Sequence, residues 1–152
     1  MPGFSGKFHH QVDSKGRLML PSELRTVLQT NYNNNNTLYI TLSATDKCLH
    51  IYPLEEWQRL QDKVRSLPPS KKSVKYYMRR VIASAHECEL DKQGRILIPV
   101  DLREDASING ETVVVGQIDK IEVWNRAEWD KLFDPENIDI SAYEAELAEM
   151  GL

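Results

Sequence analysis

One stretch of this chain is written twice. Val12-Asp13-Ser14-Lys15-Gly16-Arg17-Leu18-Met19-Leu20-Pro21-Ser22-Glu23-Leu24-Arg25 recurs as Leu90-Asp91-Lys92-Gln93-Gly94-Arg95-Ile96-Leu97-Ile98-Pro99-Val100-Asp101-Leu102-Arg103, displaced by 78 residues. Asp, Gly, Arg, Pro, Leu and Arg fall at matched positions. A second echo carries Cys48-Leu49-His50-Ile51-Tyr52, Trp57 and Leu60 onto Lys120-Ile121-Glu122-Val123-Trp124, Trp129 and Leu132, displaced by 72. The first copy therefore holds six more residues between its echoes, and the Asn-rich run 31–36 is where they are expected. Two copies of one unit imply approximate two-fold symmetry, a symmetry that duplex DNA shares.

A chain of 152 residues is one domain by size, whereas either half alone would be only marginally stable. Two intertwined halves sharing a core are the expected solution. The first residues lack a secretory apolar region, and no apolar run is long enough to span a bilayer. Cys48 and Cys88 follow no C-x-x-C spacing and read as buried free thiols of a cytosolic protein.

The net charge of −4 discourages nucleic acid as a partner until it is divided along the chain. Residues 134–152 hold six acids and no Lys or Arg, so the remainder carries 19 basic against 17 acidic residues. Between 59 and 80 stand Arg59, Lys63, Arg65, Lys71, Lys72, Lys75, Arg79 and Arg80, opposed only by Asp62. A low overall isoelectric point is thus compatible with a positive face.

Residues 8–12 and the stretch after Arg17 alternate apolar and polar side chains, which predicts a β-hairpin. Asp13-Ser14-Lys15-Gly16 suits a type I turn closed by a left-handed glycine, and Asp91-Lys92-Gln93-Gly94 repeats it. Pro21 and Pro99 end the strands, and short helices follow. Strands are expected at 37–42, 49–52, 112–117 and 121–124. Leu54, Trp57, Leu60, Val64 and Leu67 form one helical stripe, and Val74, Met78, Val81, Ile82 and Ala85 form another beyond Pro68-Pro69. Residues 126–133 read as helix, and Ser141-Ala142-Tyr143-Glu144 as a capping box opening an acidic last helix.

The hairpin tips are the places where a rigid sheet can present donors. Arg17 and Arg95 are able to bind guanine bidentately, and Lys15 and Lys92 to contact phosphates. The alternative is that each Arg pairs with the Asp four positions back and merely braces the turn. Duplication alone does not choose, because a structural turn would also be copied. Metal binding finds little support: His9 and His10 point to opposite faces of a strand, and His86-Glu87-Cys88 lacks ligand spacing. Neither a G-x-S-x-G motif nor a Gly-rich phosphate loop is present, so neither an enzyme nor a cofactor is indicated.

Two D-x-x-G-R units, each followed by an apolar strand, Pro and Leu-Arg, together with C-L-x-I-Y-P-x-x-x-W at 48–57, resemble the MraZ family. That family is a duplicated relative of AbrB/SpoVT-type swapped-hairpin transcription factors, and the likeness spans roughly residues 4–133. The resemblance implies an α+β fold: a double-split β-barrel of two pseudo-symmetric copies with flanking helices. The copies would lie at 7–54 and 83–126 of a single domain 1–152, with connecting helices at 55–82 and C-terminal helices with the acidic tail at 127–152.

It further implies a cytoplasmic, nucleoid-associated regulator of the division and cell-wall gene cluster, acting on its own promoter. Family members form rings that bind tandem repeats in double-stranded DNA, with no membrane or small-molecule partner. Carried over by position, Lys15, Arg17 and Arg95, with Lys7 and Lys92, would touch DNA, while Asp13, Gly16, Asp91 and Gly94 shape the turns. Gln93 stands where the first copy has Lys15, which weakens the second tip. The competing expectation is a protein-interaction ring whose hairpins serve assembly, with the acidic tail docking on the basic 59–80 segment of a neighbour.

Overall fold

Period-two alternation, proline stops and two apolar helical stripes divide the chain into eight strands and six α-helices among the described residues. The computed structural model describes residues 2–152. In order these are β1 (Lys7–Gln11), β2 (Arg17–Met19), α1 (Ser22–Asn31), β3 (Thr37–Leu42), β4 (Leu49–Pro53), α2 (Leu54–Arg65) and α3 (Lys72–Tyr77). A wide π-type turn, Met78–Ile82, follows. The second half supplies β5 (His86–Glu89), β6 (Arg95–Leu97), α4 (Val100–Asp105), β7 (Glu111–Gly116), β8 (Ile121–Asn125), α5 (Arg126–Lys131) and α6 (Ile140–Glu149).

The turns form as their residues predict. The Asp13 carbonyl accepts from Gly16 N–H at 3.0 Å, Asp13 N–H donates to the Arg17 carbonyl at 3.0 Å, and Gly16 takes φ +84°. Asp91, Arg95 and Gly94 repeat this geometry, with the glycine at φ +78°. The hairpins themselves do not form. β1 leaves β2 and pairs antiparallel with β7, Lys7 opposite Val115 through Gln11 opposite Glu111. β2 pairs instead with β6, its counterpart from the other copy. β1 finds in the six-residue, largely buried β7 a longer partner than the three-residue β2 could offer, and alternation alone cannot reveal that choice.

The result is a six-stranded antiparallel sheet in the order β1-β7-β8-β4-β3-β5, accompanied by the two-stranded ribbon β2-β6. Read backwards, the order exchanges the copies: β1 with β5, β7 with β3, and β8 with β4. Where copy meets copy, His50 lies opposite Glu122, its own counterpart at the displacement of 72. On the ribbon, Leu18 lies opposite Ile96, its counterpart at the displacement of 78. The pseudo-two-fold axis therefore runs through both pairs.

Matching pairs also relocates the six extra residues. Leu38 faces Pro53 as Thr112 faces Asn125, so β3 and β7 are displaced by 74. Four of the six thus lie before β3, where α1 has 10 residues against 6 in α4. The other two lie in the turn at 43–48, which has 117–120 as its counterpart. The Asn run does not hold all six; it closes α1, with Asn33 and Asn34 at φ 55° and 54°. Asparagine tolerates this left-handed region better than most residues.

Inside, symmetric pairs fill one core: Leu18 and Ile96, Leu20 and Ile98, Leu24 and Leu102, Leu49 and Ile121, Ile51 and Val123, each at most 1% exposed. A residue of this kind contributes roughly 1.5–3 kcal/mol of burial, and both copies are needed to enclose it. On the opposite face of the sheet, Cys48, Val113, Val115 and Trp124 make a second cluster under Trp129 of α5. The link between copies is anchored at its wide turn. Thr41 donates its hydroxyl proton to the Val81 carbonyl, and Arg80 Nε donates to the Ser43 carbonyl at 2.8 Å. At the C-terminal end the expected capping box does not form. Asp139 is the N-cap instead, accepting from Ala142 N–H at 3.2 Å. A charged carboxylate two residues earlier offers a stronger acceptor to the helix N-terminus than the Ser141 hydroxyl.

Candidate nucleic-acid interface

The ribbon β2-β6 turns Leu18 and Ile96 inward and leaves Arg17, Met19, Arg95 and Leu97 on its outer face. In register, Arg17 sits across from Leu97 and Met19 across from Arg95, so the arginines are related by the axis between them. A two-stranded ribbon is narrow enough for the major groove of B-form DNA. The outer face is open, with Leu97 56% exposed.

Each arginine is held by the aspartate of its turn. Arg17 Nε donates to Asp13 Oδ2 at 2.8 Å, and Arg95 Nε donates to Asp91 Oδ2 at 3.0 Å. The bracing expected as the dull alternative is therefore real. It engages one edge of the guanidinium only, and the side chains stay 34% and 27% exposed, so the terminal nitrogens remain within reach of a ligand. The other oxygen of Asp13 accepts the backbone N–H of Lys15 and of Arg17, each at 2.9 Å. The Arg17 N–H, ahead of its side chain and the Lys15 N–H, holds the Asp13 carboxyl below its usual range. Asp91 is lowered in the same way, first by the Arg95 N–H.

A second guanidinium reaches each tip from the opposite copy. Arg103 of α4 donates Nε–H to the Ile98 carbonyl at 2.9 Å and lies over Gly16; Arg25 of α1 donates to the Leu20 carbonyl at 3.1 Å and lies over Gly94. The backbone interlocks there too: Leu20 N–H donates to the Gly94 carbonyl and Ile98 N–H to the Gly16 carbonyl, both at 2.9 Å. Each turn with its overlying arginine therefore gathers three cations against one carboxylate: Lys15, Arg17 and Arg103 with Asp13, then Lys92, Arg95 and Arg25 with Asp91. Arg25 and Arg103 stand in the duplicated segment, but their position over the other copy's glycine is a tertiary fact.

Of the residues singled out from sequence, Lys15, Arg17, Lys92 and Arg95 come together around the ribbon. Lys15 and Lys92 are exposed at the tips, on different positions of their turns. Lys7 does not join them. It begins β1, six residues of extended chain before Asp13, or about 20 Å at about 3.3 Å per residue. The histidines weighed as ligands also stay apart: His9 and His10 alternate sides of β1, and His86 Nε2 lies 3.3 Å from Asp101 Oδ2 at the surface. Sequence spacing overlooked Cys48, His50 and Glu122, whose donor atoms lie within 4.8 Å of one another.

Two further surfaces carry exposed apolar groups. Val64, Leu67, Pro69, Val74, Met78 and Ile82 line an apolar groove of about 510 Å³ between α2 and α3, rimmed by Arg65, Lys75 and Arg79. The acidic α6 has no buried residue, and Ile140 and Tyr143 stand 53% and 47% exposed on it. Among the described residues no helix is long and apolar enough to cross a membrane.

An interlocked pair of repeats, displaying two braced arginines across a local axis, defines a class: two-copy proteins whose turns, rather than a cleft, carry the distinctive groups. The family model described as "MraZ protein, putative antitoxin-like" matches residues 4–79 and 81–150, one match per copy. The chain is 37% identical over 149 residues to "Transcriptional regulator MraZ" of Pediococcus pentosaceus, covering 98% of this chain and 99% of that one. It is 41% identical over 128 residues to the protein of the same name from Desulforamulus reducens, covering 84% and 85%. The chain belongs to the MraZ family. The matches run through α6, beyond residue 133 where the likeness read from motifs stopped.

Proposed function

We propose that this protein is a DNA-binding transcriptional regulator and not an enzyme, working in the cytoplasm and on the nucleoid. The observation that carries the reading is the ribbon, which sets Arg17 and Arg95 on one open face about a two-fold axis. Asp13 and Asp91 hold the Nε edges and leave the terminal nitrogens to meet guanine O6 and N7. Lys15, Lys92, Arg25 and Arg103 supply phosphate-directed charge around them. The exchanged pairing of β1 with β7 and β2 with β6 supports a swapped-hairpin, double-split barrel in which the copies play the parts of two subunits. The names of the relatives support the regulatory role.

The DNA target is proposed to be tandem short repeats upstream of the division and cell-wall gene cluster, including the protein's own promoter. One subunit gives a weak, salt-sensitive grip; a ring of subunits multiplies it through effective concentration. The test is a gel-shift titration on that upstream DNA. Arg17→Ala is expected to abolish repeat-specific binding with oligomer size unchanged, and Lys15→Ala to flatten the salt dependence by about one unit of slope. Equal binding by Arg17→Ala and the parent would end the proposal.

A second reading concerns assembly. The basic-rimmed apolar groove between α2 and α3 and the acidic α6, with Ile140 and Tyr143 uncovered, are complementary in charge and in apolar character. The occupant is proposed to be α6 of a neighbouring copy, which would close the ring.

A further inference from the structure

Around the pseudo-two-fold axis, on the sheet face away from the core, three unlike side chains converge. Cys48 precedes β4, His50 lies on it, and Glu122 faces His50 from β8. His50 Nε2 is 3.2 Å from Glu122 Oε2, and Cys48 Sγ is 4.0 Å from that same oxygen. Cys48 is 1% exposed, and the side chains of His50 and Glu122 are 13% and 14% exposed. Aromatic rings of both copies wall the place: Tyr52 packs on Trp57 at 5.6 Å, and Trp124 on Trp129 at 5.9 Å.

We propose that Cys48, His50 and Glu122 form a three-donor site for a borderline-soft divalent cation, zinc above all, which ties the first copy to the second. Tetrahedral zinc with bonds of about 2.0 Å to N and O and about 2.3 Å to S requires edges of about 3.3 Å and about 3.5 Å. The observed nitrogen-to-oxygen spacing meets the first; to meet the second the thiol must close by half an ångström on the Glu122 oxygen and draw in on the His50 nitrogen, from which it lies within 4.8 Å. One thiolate, one imidazole and one carboxylate suit zinc or cobalt better than magnesium or calcium, which take oxygen donors. The fourth position is left to water.

The surroundings supply what such ligands need. Trp124 Nε1 donates to Glu122 Oε1 at 3.1 Å, which fixes the carboxylate and leaves Oε2 toward the cysteine and histidine. Tyr52 Oη lies 3.3 Å from His50 Nδ1, an outer partner able to receive Nδ1–H while Nε2 binds the cation. Burial works against the Glu122 charge, yet its hydrogen bonds from His50 and Trp124 outweigh that and keep the carboxyl below its usual range. Burial, then the Glu122 charge, push the Cys48 thiol above its own. Coordination requires the thiolate, so binding releases the thiol proton to solvent, the imidazole proton shifting from Nε2 to Nδ1, and the cation neutralises the resulting pair of anions.

Symmetry fixes the stoichiometry. The axis exchanges His50 with Glu122 but carries Cys48 onto Lys120, which offers no thiolate. Each chain therefore has one such site and no axis-related second. The inference does not rest on the DNA-binding reading.

The test uses the full-length chain, reduced and stripped with a chelator, and titrated with cobalt(II). The expected result is a thiolate-to-cobalt charge-transfer band with intense four-coordinate visible bands, saturating at one cobalt per chain and abolished by zinc(II). Cys48→Ser should remove the charge-transfer band. His50→Phe, chosen because phenylalanine suits a strand, and Glu122→Gln should each weaken cobalt binding by more than about tenfold. Cys88→Ser should titrate like the parent, and zinc should raise the melting temperature of the parent but not of His50→Phe. Circular dichroism confirms that the variants fold. A parent with no charge-transfer band at stoichiometric cobalt, or a band that survives Cys48→Ser, overturns the proposal.

Discussion

The guanidinium of Arg103 covers Gly16: a Cβ built on that glycine would lie 2.5 Å from the Arg103 Cζ. Gly94 stands in the same relation to Arg25, at 2.8 Å from its Cζ. Each copy's helix thereby caps the other copy's turn. Gly16→Ala would meet both this contact and a φ of +84°, which side chains with a Cβ rarely adopt. The expected loss is about 1–3 kcal/mol of stability, read from urea unfolding, and Gly94→Ala should lose a similar amount. Wild-type stability in both would mean that the turns do not hold this geometry in solution.

Asp13 gives a prediction whose sign opposes simple electrostatics. Removing a carboxylate beside DNA should strengthen binding if charge alone mattered. If Asp13 instead orients Arg17, then Asp13→Asn frees the guanidinium, and ordering it again costs about 0.5–1.5 kcal/mol on binding. Repeat-specific affinity should fall by about two- to twelvefold while affinity for unrelated DNA rises slightly. A rise on both DNAs would show that bracing plays no part.

Much of this arrangement was legible from local chemistry, and its limits have a common cause. Asp13-x-x-Gly16 specifies its turn through one carboxylate and one positive φ, both local, so the turn formed as read. What lay on either side was not local. β1 alternates equally well for a hairpin with β2 or for pairing with β7, about a hundred residues on, and only the enclosed core selects the second. Arg25 was visible as a repeated letter, but its partner Gly94 belongs to the other copy. The same holds for His50, whose neighbour Glu122 is reached only through the sheet. Lys7 shows the converse: nearness in sequence to the turn did not bring it to the ribbon, because an extended strand carries it away.

Acid should loosen both tips. Asp13 and Asp91 are held below their ordinary value of 3.8, chiefly by backbone N–H groups of Arg17 and Arg95. A depressed carboxyl contributes stability that is complete above its unfolded value and disappears as pH falls through the folded one. The melting temperature of the parent should therefore exceed that of an Asp13→Asn, Asp91→Asn double variant at pH 6, and the gap should close below about pH 4. A gap that stays constant from pH 6 to pH 3 would assign the effect of the substitutions to something other than these charges.

Assembly through α6 makes its own demand. If the acidic helix of one copy fills the groove between α2 and α3 of the next, then Arg65, Lys75 and Arg79 on its rim meet Glu144, Glu146 and Glu149. Reversing the rim with Arg65→Glu, Lys75→Glu and Arg79→Glu leaves the apolar lining intact but sets like charges against the helix. The ring should dissociate in size-exclusion chromatography with light scattering, most completely at low salt, and regain mass as salt screens the repulsion. Parent rings should respond oppositely, loosening as salt rises. The fold of each subunit should be unaffected, since all three residues are surface groups outside the core. A triple variant that assembles like the parent at every salt concentration would place the contact elsewhere and leave α6 free on the outside of the particle.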